Sequence, residues 1–257
     1  MKRAFVWIAL PTLAVILTVL AFLPAAWLGP MIERQTGGRL TLGDAQGTLW
    51  RGSAFVGGAP GEGGSVTPLL PGRFSWHLSP LVLFGDVSMD LANDQALAQP
   101  VHVSGSWSQL QVSAGQLLLP ADGLAGLGAP LNTLALSGTI KLIWNRLDIA
   151  LQGNTVAVSG RTTLSLTDMG SRMSPIKPLG SYEMVMDWHG QRADVVMRTV
   201  SGALLLSGNG ALENGRLHFS GQAAAADKYE DTLGNLLNLL GQRRMVNGKN
   251  IIALEFR

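Results

Sequence analysis

The sequence predicts a mainly-β protein carried on a single N-terminal transmembrane helix. Its body reads as a curved antiparallel sheet, or a sandwich, of repeated hairpins with a short C-terminal helix. Three observations predict this. A charge-free apolar run stands near the N-terminus, alternating apolar residues ending in Ser-Gly recur along the rest of the chain, and Asn-Gly or Gly-Asn dipeptides fall between alternating runs.

The apolar run comes first. No residue from Ala4 to Ile32 is charged, and its most apolar part, Phe5 to Leu28, exceeds the ~20 residues needed to cross a ~30 Å hydrocarbon core. Trp7 and Trp27 stand near its two ends, about 30 Å apart at 1.5 Å per helical residue, where interfacial indole rings are favoured. Lys2 and Arg3 precede the run, whereas Glu33 and Arg34 nearly cancel after it, so the positive-inside rule keeps Met1 in the cytoplasm. The expected organisation is a cytoplasmic tip at 1–3, a transmembrane helix at 4–30 and a periplasmic β-rich domain at 31–257. A cleaved signal peptide shares the charged start, but its apolar region is shorter, and Trp27 and Leu28 stand where its cleavage site wants small residues.

The strand signal is period-two alternation, which places one set of side chains on a core face and the other toward solvent. It is clearest in Val101-His102-Val103-Ser104-Gly105, Leu134-Ala135-Leu136-Ser137-Gly138, Val156-Ala157-Val158-Ser159-Gly160 and Leu204-Leu205-Leu206-Ser207-Gly208. Another alternating stretch follows the glycine, as in Thr139 to Trp144 and Arg161 to Leu166. Asn145-Arg146, Gly153-Asn154, Asn209-Gly210 and Asn214-Gly215 are the expected turns, because Asn-Gly supplies the positive φ of primed hairpins. Glycines inside strands, Gly105, Gly138, Gly160 and Gly208, can instead mark bulges that curl the sheet.

Two segments read as non-β. Leu117 to Ala129 is a glycine-broken apolar stretch that suits a short helix or a loop, and a sub-domain break can fall near 117–130. Asp227 to Leu240 is the best soluble helix: Asp227 with Glu230 makes a capping box, and Leu233, Leu236, Leu237 and Leu240 share one face before Gly241. A closing strand is expected over Asn250 to Arg257, after a turn at Asn247-Gly248.

Composition narrows function by exclusion. Hydrophobic residues make up 47% and charged residues only 14% of the 257 positions, so the body is unusually apolar and disorder is disfavoured. A formal charge of +2 with no basic-aromatic stretch argues against nucleic acid. With no cysteine there is no disulfide, no Cys-ligated metal and no lipoprotein anchor. His77, His102, His189 and His218 lack partners at metal-ligand or triad spacing and read as solvated strand or turn residues. Asp86, Asp90 and Asp94 fall near a polar strand phase, Glu230 and Asp231 start a helix, and Arg243, Arg244 and Lys249 read as a solvated basic loop. No catalytic, cofactor-binding or metal-binding residue is expected. The apolar excess fits either an ordinary core or, if the sheet curls, a groove lined with Leu, Val and Met.

The segment after the apolar run carries a recognisable signature. Gly37-Gly38-Arg39-Leu40-Thr41-Leu42, followed by Asp44-Ala45-Gln46-Gly47-Thr48-Leu49-Trp50-Arg51-Gly52-Ser53-Ala54, resembles the opening of protein N of the bacterial type II secretion system. So do Pro71 to Pro80, Pro178 to Tyr182, Thr199 to Gly210 and Leu236 to Arg243, covering essentially the whole chain. A weaker likeness extends to AsmA-like proteins, which share the anchor, a G-x-L-W-x-G turn and repeated hairpins. The resemblance implies a non-enzymatic, single-pass component of the inner-membrane platform that exports folded proteins from the periplasm across the outer membrane. Its implied partners are other inner-membrane secretion components and membrane lipid; a homo-oligomeric state is not implied either way. The AsmA-like side implies a lipid or hydrophobic-ligand protein with an apolar β groove. Read from the residues, Gly47, Thr48, Leu49, Trp50 and Gly52 are a structural signature: two glycines permit sharp turns around an indole that anchors the sheet. On that reading Trp50→Ala would cost roughly 3 to 5 kcal/mol.

Overall fold

The computed structural model describes residues 11–12, 14–15, 18–59, 66–127, 135–153, 155–213, 216–240, 243–246 and 249–256. Lys2, Arg3 and Trp7 lie outside the described residues, as do Asn214-Gly215, Gly241 and Asn247-Gly248. Among the described residues, no helix is long and apolar enough to cross a membrane. The described residues between 11 and 21 are helical, and the helix expected to run unbroken to residue 30 is interrupted after Ala21. Proline supplies the reason: Pro24 has no N–H to donate, and its extended backbone (φ −67°, ψ 137°) bridges to Thr48 instead. A short 3₁₀ turn, Ala25–Trp27, leads into helix α1, Leu28–Thr36, which Gly37 terminates in the left-handed conformation. Trp27 stands on that turn and is 65% exposed.

The body is one antiparallel meander. β1 (Leu40–Gly47) pairs with β2 (Arg51–Gly58), which pairs with the two-residue β3 (Thr67–Pro68) and with β4 (Phe74–Leu78). β5 (Asp86–Ala92) and β6 (Val101–Ser106) follow in order. The next two strands are each interrupted once. β7 (Gln109–Val112) and β8 (Gly115–Pro120) face β10 (Leu147–Gln152) and β9 (Leu136–Trp144) in one unbroken register, from Gln109 opposite Ala150 to Pro120 opposite Thr139. β9 and β10 in turn lie end to end along the seventeen-residue β11 (Thr155–Ser171). Asn145-Arg146 is therefore a break inside a long strand, not the expected hairpin turn, and the Asn145 amide still donates to the Arg161 carbonyl at 3.2 Å. That hairpin reverses between the paired residues Gln152 and Thr155, with Gly153 at φ 60°; Asn154 lies outside the described residues.

β12 (Gly180–Gly190), β13 (Arg192–Gly202), β14 (Leu204–Glu213) and β15 (Arg216–Ala225) continue the meander. Asn209-Gly210 lies inside β14, paired on both sides, and so is not a turn. Helix α2, Glu230–Leu240, starts three residues later than the capping-box reading predicts, because the Tyr229 carbonyl accepts the first helical bond, from Leu233, at 2.9 Å. β17 (Lys249–Phe256) then pairs with β15 and carries β16 (Arg243–Val246) on its far edge, so Arg243, Arg244 and Lys249 belong to strands and not to a loop. Leu117–Pro120 likewise is strand, and Ala121–Leu127 of that segment is a 3₁₀ helix. Among the described residues β1 pairs only with β2 and β16 only with β17, so the sheet is open.

One face carries the core. Three buried clusters follow one another along it: Phe74, Ala96, Leu97 and Val101; then Ala121, Ile140, Met169 and Tyr182; then Leu179, Ala203, Leu204, Ala223 and Ile252 under Leu233, Leu236 and Leu237 of α2. The other face is tiled with cross-strand polar pairs, the ion pairs Arg161 with Asp187 and Arg198 with Glu183 and the hydrogen-bonded His102 with Asp90. All reach solvent, with at least one partner well exposed, and contribute solubility and register more than stability.

Candidate functional site: an apolar trough and its clasp

The alternation that builds the first half of the sheet turns Leu42, Val56, Phe74, Trp76, Leu78 and Leu91 to one side, where they line a cavity of about 500 Å³. Leu28 and Ile32 of α1 form its lid, Val101, Leu117 and Trp144 are also part of the lining, and every lining residue is aliphatic, aromatic or methionine. Its walls come from strands β1 to β9. Laid flat at roughly 4.8 Å per strand those two strands would stand about 29 Å apart, whereas a compact cavity of this size is about 10 Å across, so the sheet curls around it. Of the sequence's two options for its apolar excess, a filled core and a groove, both are present: core under α2, groove under α1.

Two tryptophans finish the trough and tie it down. The Trp144 indole N–H donates to the Ser113 carbonyl at 2.8 Å, across the point where both interrupted strands break. Trp76 donates to the Leu49 carbonyl at 3.0 Å and so holds the β1–β2 turn. That turn clasps the N-terminal segment: Trp50 Nε1 donates to the Leu20 carbonyl at 2.7 Å, the Leu49 amide to the Leu23 carbonyl at 2.8 Å, and Thr48 bridges Pro24. Gly47 takes φ 84°, and a Cβ on Gly52 would overlap the Trp76 ring. The five signature residues thus act together in a tight corner. Trp50, however, stands in the turn and is half-buried, so it fastens the sheet to the preceding helix and does not anchor the sheet's own core. Trp50→Ala should accordingly cost nearer 2 kcal/mol in a denaturant titration than the larger loss of a fully buried indole. A loss above 4 kcal/mol would return the residue to the core.

Arg73 reinforces the same corner. It pairs with the Asp44 carboxylate, donates to the Ser53 Oγ at 3.1 Å and covers the Phe55 ring at 4.5 Å. Bonds from Gln46 and then Arg73 hold the Asp44 carboxyl below the usual carboxylate range. The same happens to Asp187, where Arg161 Nε donates at 2.5 Å. Neither shift brings a group toward neutrality, where acid-base work would want it. His77 accepts from Arg51 at 3.3 Å and His102 meets Asp90 at 2.7 Å, both on the solvated face. Among the described residues no three His, Asp or Glu side chains group as a metal site.

Among the described residues Tyr182 is the one group pushed strongly, and in the opposite direction. Burial raises its hydroxyl from 10.0 to about 12, and it donates to the Leu204 carbonyl at 3.0 Å. The folded state therefore keeps this proton longer than the unfolded chain does. Its stabilising share is complete below about pH 10 and is lost as pH climbs toward 12. Tyr182→Phe should flatten the alkaline arm of the stability profile; an unchanged arm would assign it to other groups.

Trp76, Trp144 and Arg73 were not singled out by the sequence, although Trp76 lies on the apolar phase of Phe74-Trp76-Leu78. Together these features define a class: an open, curled β meander with an apolar trough, fastened by a tryptophan turn to an N-terminal helical segment. Within that class the type II secretion system (T2SS), protein N, family matches residues 38–250, and the chain belongs to that family. It is thus a type II secretion component of the bacterial envelope. Neither a curated protein nor a solved structure matches the chain.

Proposed function

We propose that the protein is a non-enzymatic inner-membrane component of the secretion assembly platform, with its first residues cytoplasmic and its β domain periplasmic. The clasp carries this reading, because it binds the end of an apolar helical segment directly to the first turn of the sheet, with no free linker between them. A span ending before the break at Pro24, over about residues 4–21, would still reach about 27 Å at ~1.5 Å per residue. A domain held that close can present its sheet edges to neighbouring platform components by strand addition. Photocrosslinking in cells from positions along the N-terminal segment and the outer strands should recover inner-membrane secretion components. Recovery of lipid alone would overturn this reading, and a reporter fused after residue 35 that is active only in the cytoplasm would overturn the topology.

The trough favours a second reading, a lipid or hydrophobic-ligand protein of the AsmA-like kind, since a wholly apolar cavity gains most from an apolar guest. Phospholipid found by mass spectrometry in detergent-purified protein, and lost in a Val56→Trp variant that fills the trough, would support it. A lipid-free preparation would count against it.

A further inference from the structure

Strand direction sorts the turns by end. β1 runs toward the clasp, and in an antiparallel meander the turns after β4, β6, β10, β12 and β14 therefore lie at the same end as residues 20–24. The turns far from the clasp along the sheet are polar, with Gln152, His189, Gln191, Arg192, Glu213 and Arg216 around them. The two near it are not. After β4 the 3₁₀ segment Pro80–Phe84 leaves Leu81 53%, Leu83 46% and Phe84 86% exposed, and after β6 Trp107 is 61% exposed. Four large apolar side chains on one rim exceed the ordinary scatter of surface hydrophobics.

This rim is built as a unit. The Trp107 indole N–H donates to the Val82 carbonyl at 2.6 Å, joining the two turns and spending the ring's one polar group inside the protein. The Ser79 hydroxyl accepts from the Leu81 amide at 3.3 Å, and the Leu78 amide donates to the Trp50 carbonyl at 2.7 Å, which couples the rim to the clasp. Phe22, 71% exposed, continues the apolar surface onto the N-terminal segment.

We infer that this ridge is a second membrane contact: Leu81, Leu83 and Phe84 enter the headgroup–acyl boundary of the bilayer beside the N-terminal span, with the Trp107 ring at headgroup level. The inference rests on reading that segment as a span. A bilayer is the occupant because the ridge continues an apolar segment that would already lie in one and because its indole N–H is satisfied internally. Asp86, at the ridge's base, and Arg51 beside His77 mark where the polar surface resumes.

The cysteine-free sequence makes the test direct. Single-cysteine variants Phe84→Cys, Val19→Cys and Gln191→Cys of the full chain would carry an environment-sensitive fluorophore in phosphatidylethanolamine–phosphatidylglycerol vesicles containing a nitroxide lipid. Quenching at 84 should exceed that at 191 several-fold and approach that at 19. Strong quenching at 19 with none at 84 above the 191 level overturns the ridge contact and leaves the span intact. Absence of quenching at 19 as well overturns the span and the ridge together.

Discussion

Gly52→Val should cost roughly 3 kcal/mol or more and free the N-terminal segment from the sheet. A Cβ at this position would overlap the Trp76 ring and lie 2.8 Å from both the Gln46 and the Thr48 carbonyl oxygens. Two of these three neighbours are backbone in the corner itself, so the strain cannot be relieved by a rotamer change. Relief requires moving Trp76, which opens the trough wall, or moving Thr48 and Leu49, which releases Pro24 and Leu23. Denaturant unfolding should show the loss, and limited proteolysis should show new cleavage around residues 22–27. A variant with an unchanged midpoint and unchanged proteolysis would mean that the corner is not under constraint.

Leu233→Ala should cost about 2–5 kcal/mol. Leu233 is wholly buried where α2 meets the sheet, in one cluster with Ala223 of β15 and Ile252 of β17. Two of its neighbours are already alanine (Ala203 and Ala223), and α2 is held by a single face, so the void would collapse only in part. The loss should appear as a lower denaturant midpoint with the slope preserved, whereas a change below 1 kcal/mol would show that α2 repacks freely.

Most strands were legible because period two is a local signal, and the Ser-Gly repeats fall in strands as expected. Pairing is not local. Asn145-Arg146 has the composition of a turn, yet the chain does not reverse there, because β9 and β10 both find their places along β11. Asn209-Gly210 misleads for another reason: a Cβ on Gly210 would overlap the His218 carbonyl oxygen of the facing strand, so this glycine permits close approach of β15 and not a bend. The signature corner was visible as a unit, but the role of Trp50 depends on Leu20, thirty residues earlier, and no periodicity reports such a bond. The trough depended on curvature, which period-two alternation leaves open. The break at Pro24 was readable from proline chemistry, and it was masked by the length of the apolar run around it.

The order of the strands also bears on how the chain reaches this state. From β1 to β15 every strand or pair of half-strands bonds the one made just before it, except that β4 passes the two-residue β3 to bond β2, so each addition closes a short loop against an edge already present. The C-terminal pair departs further, since α2 and β16 must be made before β17 can dock on β15. A sheet whose strands become available in chain order can zip up as they emerge, and the terminal hairpin then acts as the latch that completes it.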